Sequence, residues 1–314
     1  MEQSRGPATG ATDLPSSRTL LVGALNVHSA NDETKQRQIQ NLIVNRKLDL
    51  LLMTETWLSA KANVRDIKPP GYRMIHQPRP EGRGGGVAIV YRSDLDVSEV
   101  KELEFATESL ESLVVTLETK RGPLNIAVVY RPGSASEYGT GEPEFREELA
   151  RYLDKLLLLD GELLLCGDMN CYAKDVIPVS VTRLLKRLLS SRQLVQLVDK
   201  PTHVDGNLLD VLITENESTL LTTKPTVIDN IEVRTDHYLI LTELSVVPEA
   251  ASLLCGQFNQ FLESCSLDNA IGPTEFYIVT ALPSVRMSIM SHCDCINKML
   301  IINKYQQNNE FICN

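Results

Sequence analysis

The sequence has little positive charge for a protein of its length. Its 31 Lys and Arg residues are outnumbered by 41 Asp and Glu residues, which gives a formal net charge of -10 at pH 7. Binding nucleic acid over a broad surface favours an excess of positive charge, because phosphate contacts release bound counterions. Any contact with nucleic acid is therefore expected to be local.

Long apolar runs are also missing. The apolar stretch at residues 19–25 is far shorter than the roughly 20 residues that a membrane-spanning helix needs. Residues 1–18 are rich in Ser, Thr, Gly and Pro and have no apolar centre, so they predict a disordered lead-in and not a secretory signal. We expect an intracellular protein, nuclear or cytoplasmic, that is neither secreted nor bound to a membrane.

The cysteines do not form a disulfide pattern. Of seven, only Cys166 and Cys171 precede residue 255, and the spacing is neither even nor dense. Reduced thiols are the expectation. His292, Cys293 and Cys295 lie close together, but no second Cys/His pair stands at zinc-finger spacing, which disfavours structural zinc.

Apolar runs and helical patterns alternate from residue 19 onward. TLLVGALN, a helix over residues 33–47 and LDLLLMTE predict a β-α-β unit. GGGVAIVYR, SLVVTLET and LNIAVVYRP predict further strands, with a turn at Gly122-Pro123. Helices are predicted over residues 143–159 and 181–191, with strands at GELLLCGDMN, LVQLV, DVLIT, TVIDNIEV and YLILTELSV. This alternation predicts an α/β fold in which helices cover sheets.

Polar side chains follow several of these apolar runs. Asn26, Glu55, Tyr130 and Asp168 stand at the carboxyl ends of four predicted strands. A carboxylate inside a buried strand costs several kcal/mol unless it is paired or bound to a cation, so acids at a sheet edge are tolerable and several together favour a metal. Taken alone, each residue has a simpler interpretation, because a polar residue that ends a strand is usually a loop cap.

Two short segments strengthen this interpretation. Gly167-Asp168-Met169-Asn170 forms a predicted turn in which the Asp and Asn side chains can reach a common ligand. Thr235-Asp236-His237 precedes an apolar run and supplies a titratable pair. Because adjacent residues on a strand point to opposite faces, Asp210 is the expected partner of His237. A simple capping role for Asp236-His237 is the alternative.

Seven sequence blocks in this order resemble the endonuclease/exonuclease/phosphatase superfamily, and among its members the apurinic-like endonuclease domain of non-LTR retrotransposons. The blocks are LNVHSA, DLLLMTETWL, GRGGGVAIVYR, VVYRPG, LLCGDMNCY, KPTHVDGNLLDVLIT and RTDHYLI. The resemblance covers about residues 19–247 and implies a DNase I-like fold, a four-layered α/β sandwich of two packed mixed β-sheets flanked by helices. Residues 248–314, where the pattern dissolves, are expected to form a poorly structured tail, and no reverse-transcriptase motif follows.

The resemblance also implies a role for each site residue. The implied metal-site residues are Asn26, Glu55 and Asp236. The implied catalytic residues are Tyr130, Asp168, Asn170, Asp210 and His237. The implied substrate contacts are Arg83, Arg131, Thr202 and Asn207. In this assignment Glu55 is the principal Mg²⁺ ligand, Asp168 activates water, and His237 braced by Asp210 stabilises the charge that develops on the phosphate.

The implied function is Mg²⁺-dependent hydrolysis of phosphodiesters, with Mn²⁺ as a substitute, and most specifically nicking of DNA by a monomeric enzyme. Residues 61–92 carry seven Lys or Arg against two acids and are a candidate DNA contact; a solvated loop balanced by the acidic residues 94–118 is the alternative. Two other functions stay open: a phosphatase acting on inositol phosphates or another phosphoester, and a non-catalytic binding domain derived from a retroelement.

Overall fold

The computed structural model describes residues 19–80, 83–101, 109–133, 142–173 and 180–247, and the backbone of three strands between 276 and 303. Contacts divide the chain into two units, Met1–Leu253 and Leu254–Asn314. The predicted lead-in at 1–18 lies outside the described residues, as does most of the predicted tail. No helix in the described part of the chain is long and apolar enough to cross a membrane.

The helices of the first unit are α1 (Glu33–Arg46), α2 (Glu142–Leu156), α3 (Arg183–Ser190) and one 3-10 turn (Val64–Asp66). Its strands are β1 (Thr19–Asn26), β2 (Leu50–Thr54), β3 (Tyr72–Gln77), β4 (Val87–Arg92), β5 (Val97–Glu99), β6 (Glu111–Thr119), β7 (Gly122–Tyr130), β8 (Glu162–Asp168), β9 (Tyr172–Ala173), β10 (Ser180–Val181), β11 (Leu194–Gln196), β12 (Asp210–Glu215), β13 (Thr226–Ile228) and β14 (Leu239–Ser245). The second unit contains an antiparallel meander of β15 (Phe276–Ala281), β16 (Arg286–Ser291) and β17 (Leu300–Asn303).

Besides a separate two-stranded sheet of β9 and β10, two six-stranded sheets form the body of the first unit. One has the order β13-β14-β1-β2-β4-β3 and the other the order β11-β12-β8-β7-β6-β5. Each contains one parallel pair, β1 with β2 and β7 with β8, and its other pairs are antiparallel. A parallel pair needs a crossover connection, and α1 and α2 provide these two crossovers. The predicted fold, two packed mixed sheets with helices, is confirmed.

The apolar runs are continuous because the strands are buried on both faces. Along β2, Leu50 and Leu52 belong to the core shared by the two sheets, whereas Leu51 and Met53 pack in a second cluster with Ile39 of α1. Successive side chains of a strand point to opposite faces, so a strand covered on both sides must be apolar at every position. The core thus encloses the strand bodies and leaves only their ends open to polar chemistry.

The structure corrects two details of the predicted elements. The turn predicted at Gly122-Pro123 is wrong: Lys120 and Arg121 form the turn, and Gly122 and Pro123 already pair with β6. A two-residue connection is sufficient for this antiparallel pair. The strand predicted over TVIDNIEV is too long, since β13 ends at Ile228.

Candidate active site

The carboxyl ends of the two parallel pairs lie at one rim of the sandwich. Asn26 ends β1, Tyr130 ends β7 and Asp168 ends β8, while Glu55 directly follows β2. The two sheets meet here, because the Asn26 Nδ2 of one sheet donates to the Asp168 Oδ2 of the other at 3.0 Å. The strand-end residues singled out in the sequence therefore share one site.

Neighbouring antiparallel strands contribute residues to the same rim. Asp210 opens β12 and pairs with Asp168 in the ladder, since an antiparallel strand begins where its neighbour ends. Asp236 and His237 lie just before β14, from which Tyr238 separates them, and Asn170 follows β8 by two residues. All eight predicted catalytic and metal-site residues thus border this rim, whereas their individual roles stay predictions.

Asn26 connects the two central acids. Its buried side-chain amide donates to Glu55 Oε1 at 2.9 Å as well as to Asp168, and its Oδ1 accepts the backbone N–H of His28 at 3.1 Å. The amide nitrogen therefore faces the carboxylates, and the backbone contact fixes this orientation. In this structure Asn26 positions two acids, and its place among the metal-site residues stays a prediction.

The loops at the rim have a strained backbone. Of the seven non-glycine residues with positive φ in the described part of the chain, five lie here: His28, Ser29, Glu55, Trp57 and Asn170. Such conformations cost of order 1–3 kcal/mol each and persist where the surrounding structure determines them. The loops after β1 and β2 supply this constraint through backbone hydrogen bonds, including Ser29 N to Glu55 O at 2.8 Å.

His237 and Asp210 form a buried pair. His237 Nδ1 lies 2.7 Å from Asp210 Oδ2, and the two residues are 6% and 4% exposed. Burial lowers the pKa of His237, but the charge of Asp210, their hydrogen bond and the charges of Asp168 and Asp236 outweigh it and raise this pKa to about 9. The imidazole is thus cationic at neutral pH, and its Nε2 is directed to within 3.9 Å of Asp168 Oδ2.

Asp168 is held at the end of β8 by a local backbone requirement. Gly167 before it has a φ of +148°, and a Cβ there would lie 1.8 Å from Val129 O, so only glycine allows this approach of β8 to β7. Asp168 itself is buried and its Oδ1 accepts the Asn170 backbone N–H at 3.0 Å. Burial and then the charge of Asp210 raise the pKa of Asp168, although His237 opposes this.

Tyr130 completes the interior of the rim. Burial, followed by the charges of Glu55 and Asp168, raises the pKa of Tyr130 well above its usual range, so the phenol stays protonated. The guanidinium of Arg79 lies 5.9 Å from the centre of its ring and pairs with Glu111 at 2.5 Å. A neutral hydroxyl of this kind can donate a hydrogen bond to a phosphate oxygen.

Asp236 is surrounded by histidines. His28 Nδ1 lies 3.3 Å from its Oδ1, and His203 Nε2 lies 3.4 Å from its Oδ2. The ring of His203 also contacts that of His237 edge to face, with centroids 4.9 Å apart. Burial raises the pKa of Asp236, but a backbone hydrogen bond and the neighbouring His237 and His28 lower it overall.

The residues present fit a divalent cation. Among the described residues, two groups of His and acid side chains place their ligand atoms within 4.8 Å of one another: Asp168 with Asp210 and His237, and His203 with Asp236 and His237. His237 belongs to both groups but is cationic and cannot bind a metal in that form, so the carboxylates of these groups, with that of Glu55 on the other side of Asn26, supply the available ligand atoms. Oxygen ligands suit Mg²⁺ and Mn²⁺, and a cation would oppose both the burial and the charge of Asp210, which together raise the pKa of Asp168.

The four residues predicted to contact the substrate differ in how far the structure exposes them to solvent. Arg131 is 2% exposed; its guanidinium stacks on Phe145 at 3.9 Å and donates to Cys171 Sγ. Thr202 is fully buried, so neither side chain is presented to a substrate here. Arg83 is exposed, and Asn207 is half-buried.

Thr202 instead organises the loop before β12. Its hydroxyl accepts the backbone N–H groups of Leu209 and Asp210, each at 3.0 Å. Its own N–H donates to the carbonyl of Asn207 at 2.8 Å. The contacts of Thr202 therefore point to positioning of Asp210.

Several contributors were not singled out from the sequence. His203 lies inside the KPTHVDGNLLDVLIT block, and its place in a block that carries the family resemblance is the sequence signal that points to it. Arg79 and Glu111 are 32 residues apart, and no local pattern reveals their pairing. This ion pair and that of Arg92 with Asp94 each join a basic residue of 61–92 to an acidic residue of 94–118. For part of this stretch, the pairing supports the alternative in which the acidic residues balance its positive charge.

Comparison with solved structures supports the fold. The endonuclease domain of TRAS1, a telomere-specific non-LTR retrotransposon, is 17% identical with a TM-score of 0.56, over 73% of this chain and 100% of that one. An AP endonuclease from Leishmania major is 15% identical with a TM-score of 0.56, over 76% and 91%. A 3'-5' exonuclease from Neisseria meningitidis is 18% identical with a TM-score of 0.55, over 72% and 100%. At these identities the likeness concerns the fold alone.

A search of curated protein sequences found no match. Residues 23–209 match the Endonuclease/Exonuclease/phosphatase family. This match contains the ends of β1, β2, β7 and β8 but stops one residue before Asp210, so the place of Asp210 and His237 at the rim rests on the structure. Because the match spans more than half of the chain, the protein belongs to the endonuclease/exonuclease/phosphatase family, whose members are phosphoester hydrolases that use a divalent metal.

Proposed function

We propose that the protein is a Mg²⁺-dependent endonuclease that nicks DNA by in-line attack of water on a phosphodiester. The observation that carries this proposal is the buried His237–Asp210 pair, set 3.9 Å from Asp168 at the rim that also holds Glu55. This arrangement offers a proton acceptor, a cationic hydrogen-bond donor and a metal ligand around one space. Each of these three groups lowers the barrier to hydrolysis of a phosphodiester.

Asp168 is the group that accepts the proton of the attacking water. Its Oδ1 is held by the Asn170 N–H and its Oδ2 by Asn26, so the carboxylate cannot turn away from the rim. Fixed orientation of a base contributes to rate because the water is aligned before the reaction begins. The Asn170 side-chain amide is itself anchored on the carbonyl of Arg131 at 2.8 Å.

His237 stabilises the negative charge that grows on the phosphoryl oxygens. Asp210 fixes Nδ1 and keeps the ring protonated, so Nε2–H is the donor that faces the rim. A carboxylate that orients a catalytic imidazole in this way is a recurrent device. Tyr130, neutral and adjacent, provides a second donor to the phosphate.

The acidic side chains at the rim would hold a divalent metal. Glu55 is the principal proposed ligand, with Asp236 and Asn26 as the other proposed metal-site residues. When bound, the metal supplies Lewis-acid stabilisation of the charge on the phosphoryl and leaving oxygens. The protein's own part is to hold Glu55, whose two oxygens accept hydrogen bonds from Asn26 and Trp57.

DNA is proposed as the substrate on two grounds. The ETWL, VVYRP and GN-x-LD sequence blocks resemble retrotransposon endonucleases, and the TRAS1 endonuclease domain is among the similar folds. A phosphatase acting on inositol phosphates, or a non-catalytic binding domain, is the competing interpretation. The net charge of -10 confines the DNA contact to a local patch, for which exposed Arg83 is a candidate.

The test is incubation of the purified full chain with supercoiled plasmid and Mg²⁺. We expect conversion to open circles that EDTA abolishes and that Asp168→Asn and His237→Ala each reduce by about a hundredfold or more. Asp160→Asn is the matched control, because exposed Asp160 precedes the opposite end of the same strand, β8. Plasmid left closed by wild type and Asp168→Asn alike contradicts the proposal. Phosphate release from inositol phosphates would then identify the competing phosphatase.

A further inference from the structure

Trp57 is the only tryptophan of the chain, and the structure exposes it at the active-site rim. It follows β2 by three residues and is 38% exposed. Large apolar side chains exposed in the described residues are few: Val44, Trp57, Leu157, Leu158 and Val204. Exposing a large aromatic surface forgoes the free energy of its burial, so its place beside Glu55 calls for a functional explanation.

The backbone holds the Trp57 ring in this exposed position. Trp57 has a φ of +57°, its N–H donates to Gly85 O at 2.7 Å, and its carbonyl accepts from Asn31 Nδ2 at 2.9 Å. At Gly84, an added Cβ would lie 3.5 Å from the indole nitrogen, so this backbone packs against the ring. The ring is therefore supported by the loops and is presented to solvent as a fixed surface.

The indole also touches the catalytic machinery. Its Nε1–H donates to Glu55 Oε2 at 3.2 Å, while Asn26 donates to Glu55 Oε1, so each oxygen of this carboxylate has one fixed donor. Half-exposed His28 contacts the indole edge to face, with ring centroids 5.2 Å apart. One side chain thus joins an exposed aromatic surface to the proposed principal metal ligand.

On the basis of the proposed function, we infer that Trp57 stacks on an unpaired nucleobase beside the scissile phosphate and at the same time orients Glu55. Stacking on an aromatic ring tolerates every base, because each base has a π-face. A base within an intact duplex has both faces covered by its neighbours, so the site favours DNA with an unpaired or displaced base at this position. An inositol phosphate has no π-face to offer.

The single tryptophan gives a direct optical readout, because all tryptophan emission of the chain comes from this residue. The full chain carrying Asp168→Asn, which blocks turnover, is titrated in Mg²⁺ with a single-stranded oligonucleotide. Parallel titrations use a backbone of the same length that lacks all bases, the fully paired duplex, and inositol hexakisphosphate. We expect the single strand to quench the emission, the duplex to do so less, and the baseless backbone and the inositol phosphate to leave it unchanged.

Substitutions separate the two roles of the indole. Trp57→Leu removes the ring and its N–H. Because this variant has no tryptophan left, its Kd is measured from the fluorescence anisotropy of a dye-labelled single strand, and we expect this Kd to be about tenfold or more above that of wild type in the same assay. Trp57→Phe keeps a stacking ring but loses the N–H donor; in the active background it should keep KM within about threefold while kcat falls. Leu158, another exposed apolar residue, lies two positions after the end of α2, and Leu158→Ala is the matched control that should change neither the Kd for the single strand nor kcat. Circular dichroism confirms that each variant is folded.

Failure of this inference differs from failure of the proposed function. If wild type nicks plasmid but saturating single strand leaves the Trp57 emission unchanged, or if Trp57→Leu binds the strand as tightly as Leu158→Ala, the stacking role is wrong. The stacking role is also contradicted if the baseless backbone quenches the Trp57 emission as strongly as the single strand does. If wild type leaves the plasmid closed, the endonuclease proposal itself fails.

Discussion

His237 and Asp210 come from different parts of the chain, yet His237 Nδ1 lies 2.7 Å from Asp210 Oδ2 in a buried pair. Because the carboxylate orients and charges the imidazole, the two residues act as one unit. We therefore expect Asp210→Asn and His237→Gln each to lower the nicking rate by about a hundredfold or more, and the double variant to lower it little further.

Single-turnover nicking rates of the two single variants and the double variant test this coupling. Independent contributions would multiply, so a double variant slower by the product of the two single effects contradicts it. Asp160→Asn, at the other end of β8, serves again as the control for a change of charge alone.

Thr202 is expected to matter for the position of Asp210 and not for substrate contact. Its buried hydroxyl accepts two backbone N–H groups, and Thr202→Val would leave both buried donors without this acceptor. We expect the free energy of unfolding in urea to fall by about 2 kcal/mol or more, and kcat to fall more than KM rises. Thr202→Ser retains the acceptor and should behave like wild type. A normal stability with a raised KM in Thr202→Val would instead favour direct substrate contact.

The residues at the rim could be predicted from the sequence because the strands of this fold appear as continuous apolar runs. Strands covered on both faces are apolar at every position, so the polar residue that ends each run is conspicuous, as with Asn26, Tyr130 and Asp168. Parallel strands joined by helices then place these ends on the same side. For this reason local patterns were sufficient to predict an α/β fold and the four residues at strand ends, whereas the two packed sheets were expected only from the family resemblance.

Side-chain direction could not be predicted in this way. Arg131 adjoins Tyr130 in sequence, but its guanidinium stacks on Phe145 of α2 and is buried. Arg79 reaches Glu111 across 32 residues. Such contacts depend on how the helix and loops pack on the sheets, which the periodicity of a single segment does not encode.

Metal binding should stabilise the folded protein, because the rim concentrates carboxylates around Asn26. A ligand that binds only the native state adds RT ln(1 + [L]/Kd), about 2.7 kcal/mol at a hundredfold excess over Kd. We expect Mg²⁺ to raise the Tm by several degrees, and Glu55→Gln to reduce this shift. Glu118→Gln, at an exposed position of β6, is the control and should keep the full shift. An equal shift in both variants would mean that the metal binds without Glu55.

His76 is expected to make stability depend on pH outside the active site. It lies in β3, burial lowers its pKa, and its Nδ1 is buried without a hydrogen-bond partner in the described part of the chain. Below the unfolded value of about 6.5, the unfolded chain binds a proton at His76 that the folded chain excludes. The free energy of unfolding therefore loses this contribution as pH falls from about 7.5 to 5.5.

Replacing the imidazole by a neutral amide removes this linkage, so the loss of stability of His76→Gln over the same pH range should be smaller than that of wild type. Urea unfolding at closely spaced pH values measures both slopes, and it is the difference between them that isolates His76 from the other titrating groups. If the free energies of unfolding of wild type and His76→Gln change in parallel with pH down to 5.5, the folded protein protonates His76 as readily as the unfolded chain does. A local opening of β3, which is the outer strand of its sheet, would then be the physical explanation.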